Sequence, residues 1–386
     1  MKICLINSFF YPDKKGGAET VVYNIANELK NRNYKVVVLC AGKEKEKTTE
    51  EYLDGFKIYR IGFDKYFSFH NIDNQNIFSR FLWRIHQFNN KFSSKNIKTI
   101  ITKEKPDLIL SHNVLGLGYN IIKDINKFNK KHISTIHDVQ LVIPSGVMTK
   151  ETKITDINKI YMFFTKNIYR KCKYIISPSQ KLVDFYSKYK FFQDAKINIL
   201  PNPIQLQKIS TQEKKHDELK VLYIGQLEEH KGLSDLIKTF KKLDAKKFHL
   251  TIAGRGQMAE KINNIAYTVS NIDFVGEYYA QKRIKLLEES DIVAIPSKCF
   301  ENSPMVMYES WLSGVPVIVS DFGGLPELIK EYKNGWTFEM GNIDDLKLKL
   351  EDIYKNKEKL DEISKYCLEY VKKFDVSKYV DKILNI

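Results

Sequence analysis

The stretch FENSPMVMYES, residues 300–310, holds two glutamates, Glu301 and Glu309, eight positions apart in a run otherwise as apolar as a core. A carboxylate taken out of water without partners is costly, so both side chains must reach donors, a cleft or a ligand. Ser303 is a good N-cap, Pro304 suits a first helical position, and Gly314 followed by Pro316 stops a helix. The pattern predicts a helix from about Pro304 to Ser313. Met305, Val306, Met307, Tyr308, Trp311 and Leu312 cover nearly its whole circumference, and Glu309 is its only charge. Free N–H groups and the dipole at such a helix start attract anions. Asn302, Ser303, Pro304, Met305 and Val306 can then hold a diphosphate, with Glu301 accepting from sugar hydroxyls on one side and Glu309 accepting from a ribose on the other. The competing reading of Glu309 is a structural acceptor for neighbouring backbone amides.

Such a helix needs strands to anchor it. DIVAIPS (291–297) before it and GVPVIVSD (314–321) after it are short and rich in β-branched residues, as strands buried on both faces are. The second half repeats the pattern at KVLYIG (220–225), FHLTIAG (248–254) and NIDFVG (271–276). The first half does the same at KICLIN (2–7), KVVVLC (35–40), FKIYRI (56–61), DLILSH (107–112), HISTIHD (132–138), YIISPS (174–179) and INILPNP (197–203). Strands alternating with helical stretches predict α/β architecture, with two Rossmann-like domains of doubly wound parallel sheet facing across a cleft. The polar, lysine-rich QLQKISTQEKKHDELK (205–220) is the expected linker, which gives domains over 1–203 and 204–375.

In open α/β sheets ligands bind beyond the carboxyl ends of the strands. Gly16-Gly17, His137-Asp138, Ser177-Pro178-Ser179, Gly225-Gln226, Gly254-Arg255-Gly256 and the loop Cys299 to Ser303 all stand at such ends. Singly each has a plain explanation: a Gly-Gly turn, a core histidine bonded to a carbonyl for His137, solvated surface for Lys231. Their joint placement at strand ends argues for one site.

Composition narrows the classes. The 386 residues, 43% hydrophobic and 12% aromatic, suffice for two cores. Cys4, Cys40, Cys172, Cys299 and Cys367 are scattered and form no Cys-X-X-Cys pair, against a disulfide framework or a zinc knuckle and in favour of a cytoplasmic chain. The start MKICLINSFF lacks the layout of a secretory signal, and no run reaches the roughly 18 apolar residues that span a bilayer. The net charge of +15 is uneven: residues 1–203 carry 34 Lys and Arg against 18 Asp and Glu, residues 204–386 carry 28 against 29. The first half is therefore expected to face something anionic, a phospholipid surface or a polyprenyl phosphate. Nucleic acid is not the expected partner, because the basic residues are dispersed and no recognisable nucleic-acid module is present.

Taken in order, these motifs resemble a known family. Glu-Asn-Ser-Pro-Met-Val-Met-Tyr-Glu (301–309) resembles the Glu-X7-Glu motif of retaining glycosyltransferases with the GT-B fold. Its continuation through Gly314-Val315-Pro316-Val317 to Gly323-Gly324-Leu325-Pro326-Glu327 is similar to glycosyltransferase family 4. Gly16-Gly17, His137-Asp138, Ser177-Pro178-Ser179, Leu200-Pro201-Asn202-Pro203, Gly225 and Lys231-Gly232 extend the resemblance over nearly the whole chain. It implies a hexosyltransferase that uses a UDP or GDP sugar, retains anomeric configuration and needs no metal or other cofactor; the chain also lacks any Asp-X-Asp. Gly17 would contact the transferring end of the donor, His137 the donor sugar, Lys231 the diphosphate, Glu301 the sugar hydroxyls and Glu309 the ribose. The segment 376–386 would cross back to brace the first domain.

One position departs from the family. Gln226 stands where an arginine usually pairs with the lysine, and Arg255 or a cation of the first domain is the expected substitute. Without compensation, a non-catalytic partner subunit becomes the alternative, as does another enzyme of the same fold such as an epimerase or phosphorylase. The acceptor is expected to be a saccharide, lipid-linked or free. Residues 76–95 align Arg80, Arg84, Gln87, Lys91 and Lys95 on one helical face and Ile77, Phe81, Leu82, Ile85, Phe88 and Phe92 on another. Such a helix either lies on an anionic bilayer, making the protein peripheral at the inner face of the cell membrane, or packs its apolar face on its own domain.

Overall fold

The computed structural model describes residues 1–206 and 217–386. Most of the expected linker, residues 207–216, lies outside the described residues. The chain divides into two compact units, Met1–Gly146 with Lys153–Pro203 and Val376–Ile386, and Val147–Thr152 with Ile204–Asp375. Residues 147–152, expected in the first domain, thus belong to the second unit. The reason is backbone pairing: Thr149 bridges Cys299, and the Phe300 N–H donates to the Met148 carbonyl at 2.7 Å.

The first unit is built on β1 (Lys2–Ile6), β2 (Lys35–Lys45), β3 (Thr48–Leu53), β4 (Phe56–Phe63), β5 (Leu108–Ser111), β6 (Lys131–Thr135), β7 (Tyr174–Ser177) and β8 (Lys196–Ile199). These form one eight-stranded sheet in the order β3-β4-β2-β1-β5-β6-β7-β8, parallel except for the β3–β4 pair. Helices α1 (Gly17–Asn31), α2 (Ile77–His86), α3 (Lys91–Glu104), α4 (Asn120–Ile125), α5 (Asp156–Tyr169) and α6 (Gln180–Lys188) cover it. The second unit holds β9 (Leu219–Gln226), β10 (Phe248–Arg255), β11 (Ile272–Gly276), β12 (Ile292–Ile295), β13 (Val317–Ser320) and β14 (Gly335–Phe338), all parallel in the order β11-β10-β9-β12-β13-β14. Its helices are α7 (Leu233–Phe240), α8 (Ala259–Ala266), α9 (Ala280–Glu288), α10 (Met305–Leu312), α11 (Leu325–Leu328), α12 (Ile343–Lys355) and α13 (Leu360–Val371). The chain ends in α14 (Val376–Asn385), which lies against α1 in the first unit. There the Arg32 guanidinium pairs with Asp381 and donates to the Ser377 carbonyl at 2.7 Å.

Every strand named from the sequence is present. Two were missed: β3, a polar TTEEYL hairpin partner with no apolar run, and β14, four residues at a sheet edge. The central strands are buried on both faces, as parallel sheets under two helical layers require; Ile3, Leu5, Ile6, Val293, Val317 and Val319 are wholly enclosed. All five cysteines are free and buried.

The helix expected from 76 to 95 is two helices. Asn90 caps α3, its side chain accepting from the Ser93 N–H at 2.9 Å, so the chain breaks after His86. On α2 the enclosed side chain is Trp83, stacked on Phe69, while Ile77, Phe81 and Ile85 are exposed. The expected apolar face is thus divided: Ile77, Phe81 and Ile85 are exposed, whereas Leu82, Phe88 and Phe92 are half-buried and Phe88 packs on Tyr119, Tyr161 and Phe164 of its own domain.

Candidate active site

In the second unit several of the expected side chains gather at the carboxyl ends of β9 and β12. After β9 a short turn brings Lys231 to Gly232, whose φ of +76° suits glycine and where a Cβ would meet the Pro296 carbonyl oxygen at 1.8 Å. The turn can thus press against the end of β12. On that side Glu301 is held in place by its own backbone, which accepts from the Gly324 N–H at 2.7 Å. Gly323, at φ +69°, leaves the needed room: a Cβ there would lie 2.2 Å from the Glu301 carbonyl oxygen.

The two side chains meet. Lys231 Nζ lies 2.5 Å from Glu301 Oε1, with the pair about four-fifths buried at 22% and 19% exposure. The Ser297 hydroxyl donates to the same carboxylate oxygen at 3.3 Å. Burial pushes the Glu301 carboxyl up, but the Lys231 charge and the hydrogen bonds from Lys231 and Ser297 outweigh it, and the net shift is down. Burial likewise pushes Lys231 down, and Glu301 overrides it to a net rise. The pair is ionised at neutral pH, and an anion arriving beside it would compete with Glu301 for the ammonium.

The helix that follows begins one residue later than expected. Pro304 occupies the N-cap and supplies no side-chain acceptor, while the Ser303 hydroxyl bonds the Tyr308 hydroxyl. Asn302, Ser303 and Met305 are buried, Pro304 and Val306 half-buried. Further along α10, Glu309 is half-buried and takes a 2.7 Å hydrogen bond from Arg283 Nη1 on α9. Arg283 was not legible in the sequence, because it is one of several cations in QKRIKLLEE. Tyr278 also belongs here: burial first, and Glu309 second, push its hydroxyl up.

Gly225 and Gln226 close β9 in register with Gly254 and Arg255, and the Tyr223 hydroxyl donates to the Gln226 carbonyl at 2.6 Å. Gln226 itself is exposed. Arg255, expected to stand in for the missing arginine, carries a partner of its own. Its side chain is 74% exposed at the last position of β10 and pairs with Glu277 at 3.1 Å.

The remaining expected residues, Gly17 and His137, belong to the first unit. Gly17 opens α1 and is exposed, and the preceding Gly16 N–H donates to Glu19 Oε2 at 2.8 Å. His137 follows β6 and shares a 3.0 Å hydrogen bond with His112, which follows β5; the two rings stack at 5.3 Å. Burial depresses both histidines, His137 to about 4, so the pair is neutral at pH 7. Asp138 is raised to about 6 by burial, against a hydrogen bond from the Gln140 N–H and with added repulsion from Glu19. His112, His137 and Asp138, with Tyr169 and Tyr186, line a small pocket. Sequence reasoning missed His112 as a site residue although it had placed the strand that ends there; its pairing with His137 needs two strands brought side by side.

Among the described residues no cluster of His, Cys, Asp or Glu is arranged to hold a metal ion, and no helix is long and apolar enough to cross a membrane.

Comparison with known proteins decides the family. The family described as Glycosyltransferase Family 4 matches residues 15–208, and that described as Glycosyl transferases group 1 matches residues 205–369. The chain belongs to glycosyltransferase family 4. It is accordingly a transferase of GT-B fold. A 42.6 kDa protein of the cps region of Klebsiella pneumoniae is 24% identical over 349 residues, 88% of this chain and 90% of that one. Sucrose-phosphate synthase from Thermosynechococcus elongatus superposes with a TM-score of 0.77 at 16% identity, covering 100% of this chain and 98% of that one. HepE of Anabaena, solved with UDP-glucose, gives 0.70 at 17% identity, covering 100% and 99%.

Proposed function

We propose that this family 4 glycosyltransferase moves a hexose from a nucleoside diphosphate sugar to a saccharide acceptor, lipid-linked, with retention of anomeric configuration, in the synthesis of a cell-surface polysaccharide. The observation that carries the donor part is the Lys231–Glu301 ion pair at the head of α10. Lys231 is the cation for a diphosphate leaving group, and its charge is secured by Glu301 until the donor arrives. The first-turn amides of α10 then share the negative charge that grows as the glycosidic bond breaks, where preorganised donors lower the barrier most. Glu301, released from Lys231, accepts from sugar hydroxyls, and Glu309, set by Arg283, accepts from the ribose. Neutral His137 lends a hydrogen bond to the donor sugar, and the exposed Gly17 leaves space at α1 for its transferring end. Retention fits departure and attack on one face of the sugar, the diphosphate oxygen taking the acceptor proton. No step in this scheme calls for a metal.

The UDP-glucose in HepE and the cps-region setting of the Klebsiella relative support the donor class and the polysaccharide setting. The acid-poor first half supports an acceptor anchored on an anionic membrane. The test is a thermal-shift series with UDP, GDP, ADP and their sugars in EDTA, since a ligand of the folded state raises its stability by mass action. One nucleotide should raise the midpoint, and Glu309→Ala should remove the shift. No shift with any nucleotide in a folded sample overturns the donor reading and favours the non-catalytic alternative that Gln226 raises.

A further inference from the structure

Exposed large apolar side chains are concentrated in one region of the first unit. Of the 18 among the described residues, eight lie on two helices: Ile77, Phe78, Phe81 and Ile85 on α2, and Ile157, Ile160, Phe163 and Phe164 on α5. Every exposed phenylalanine among the described residues is one of these eight. Scattered exposed apolar residues are ordinary, but a contiguous set marks a binding surface. The two helices adjoin through Phe88, just past α2, whose ring lies 5.3 Å from both Tyr161 and Phe164 of α5. Each helix turns its other side inward, α2 through Trp83 and α5 through Tyr161, Thr165 and Ile168. The outward faces are therefore surplus to the core.

The charge around this patch is predominantly positive; the one acid on the two helices is Asp156, the first residue of α5, which pairs with Lys159 at 2.9 Å. Residues 74–103 contain Arg80, Arg84, Lys91, Lys95, Lys98 and Lys103 and no Asp or Glu. Residues 157–183 contain Lys159, Lys166, Arg170, Lys171, Lys173 and Lys181 and likewise no Asp or Glu. Two acid-free stretches, far apart in sequence, supply α2 and all of α5 except Asp156. A second copy of the chain would set these like charges against each other, whereas an anionic lipid surface takes both the apolar side chains and the cations.

We propose that α2 and α5 together form a docking face for an anionic phospholipid bilayer, with Ile77, Phe78, Phe81, Ile160, Phe163 and Phe164 entering the interface and the flanking lysines and arginines meeting headgroup phosphates. This gives the lipid-linked acceptor of the proposed function its physical setting and rests on that part of the reading, yet it is testable without donor or acceptor.

The experiment is co-sedimentation of the full chain with vesicles of phosphatidylcholine alone and of phosphatidylcholine mixed equally with phosphatidylglycerol. Partition onto the mixed vesicles is expected to exceed that onto neutral ones, to weaken with added salt, and to fall at least about tenfold in the double variant Phe78→Ser with Phe163→Ser. Both positions are exposed, so the variant should keep the wild-type unfolding midpoint and nucleotide shift. Three outcomes overturn the proposal: no binding of wild type to anionic vesicles, equal binding of wild type and variant, or a wild-type dimer that the variant dissociates without any vesicle binding, which would make the face a self-interface. A missing nucleotide shift with intact vesicle binding overturns the donor reading alone.

Discussion

At the scale of residues, the Lys231–Glu301 pair is where charge and burial work against each other. Both groups lose hydration, and each stays charged because the other is there. Lys231→Ala is expected to lower kcat by about 10²–10³-fold, the loss typical of removing one donor from a charge-stabilising site, with a smaller effect on donor affinity. Steady-state donor turnover by the variant reads this directly, and near wild-type kcat would remove Lys231 from the mechanism. Glu309→Ala should weaken nucleotide binding by roughly tenfold to a hundredfold, the worth of a hydrogen bond to a charged acceptor. Titration calorimetry with the nucleotide found in the thermal-shift series measures it; unchanged affinity would return Glu309 to the role of a structural partner for Arg283.

At the scale of elements, small backbone positions set the geometry of large side chains. Gly323 has both a left-handed φ and no room for a Cβ against Glu301. Gly323→Ala is expected to cost about 1–3 kcal/mol of stability and to lower kcat as well, because the Glu301 backbone must move to admit the methyl group. Urea unfolding together with turnover checks this, and loss of stability with intact kcat would show that the loop relaxes without disturbing the carboxylate. The break between α2 and α3 belongs to this scale too. Periodicity over residues 76–95 is consistent with one helix, and only the Asn90 cap and the burial of Trp83 decide that there are two and which face looks outward.

At the scale of the whole molecule, buried histidines make stability depend on pH. His132 is enclosed, with Nε2 2.7 Å from the Ser111 hydroxyl and Nδ1 2.7 Å from the Asn126 side-chain oxygen, and burial lowers its pKa from 6.5 to about 4. Between those values the unfolded chain binds the proton and the folded chain does not, so stability falls as pH falls from 6.5 towards 4, by up to about 3 kcal/mol. His137, also lowered to about 4, acts in the same direction. Asp138, raised to about 6, opposes them: its contribution is present at low pH and lost as pH rises from 3.8 through 6. With His112, also depressed by burial, three histidines act against one carboxyl, so the urea midpoint should be lower at pH 5 than at pH 7, and His132→Gln should flatten the dependence. A midpoint unchanged or higher at pH 5 would refute the assignment.

The sequence by itself determined the fold class and the family, because short β-branched runs between amphipathic stretches admit few arrangements other than parallel α/β sheets, and because Gly, Pro, Glu and Asn at fixed spacing mark strand-end loops. It also determined which residues of the second half form the candidate site, since Glu301, Asn302 and the start of α10 are contiguous in the chain. Only tertiary structure decided the partners. Arg283 reaches Glu309, and His112 reaches His137, across strands and helices whose neighbours no local pattern encodes. It also turned Arg255 outward and left the apolar face of α2 uncovered, because which side of an element is buried depends on what packs against it.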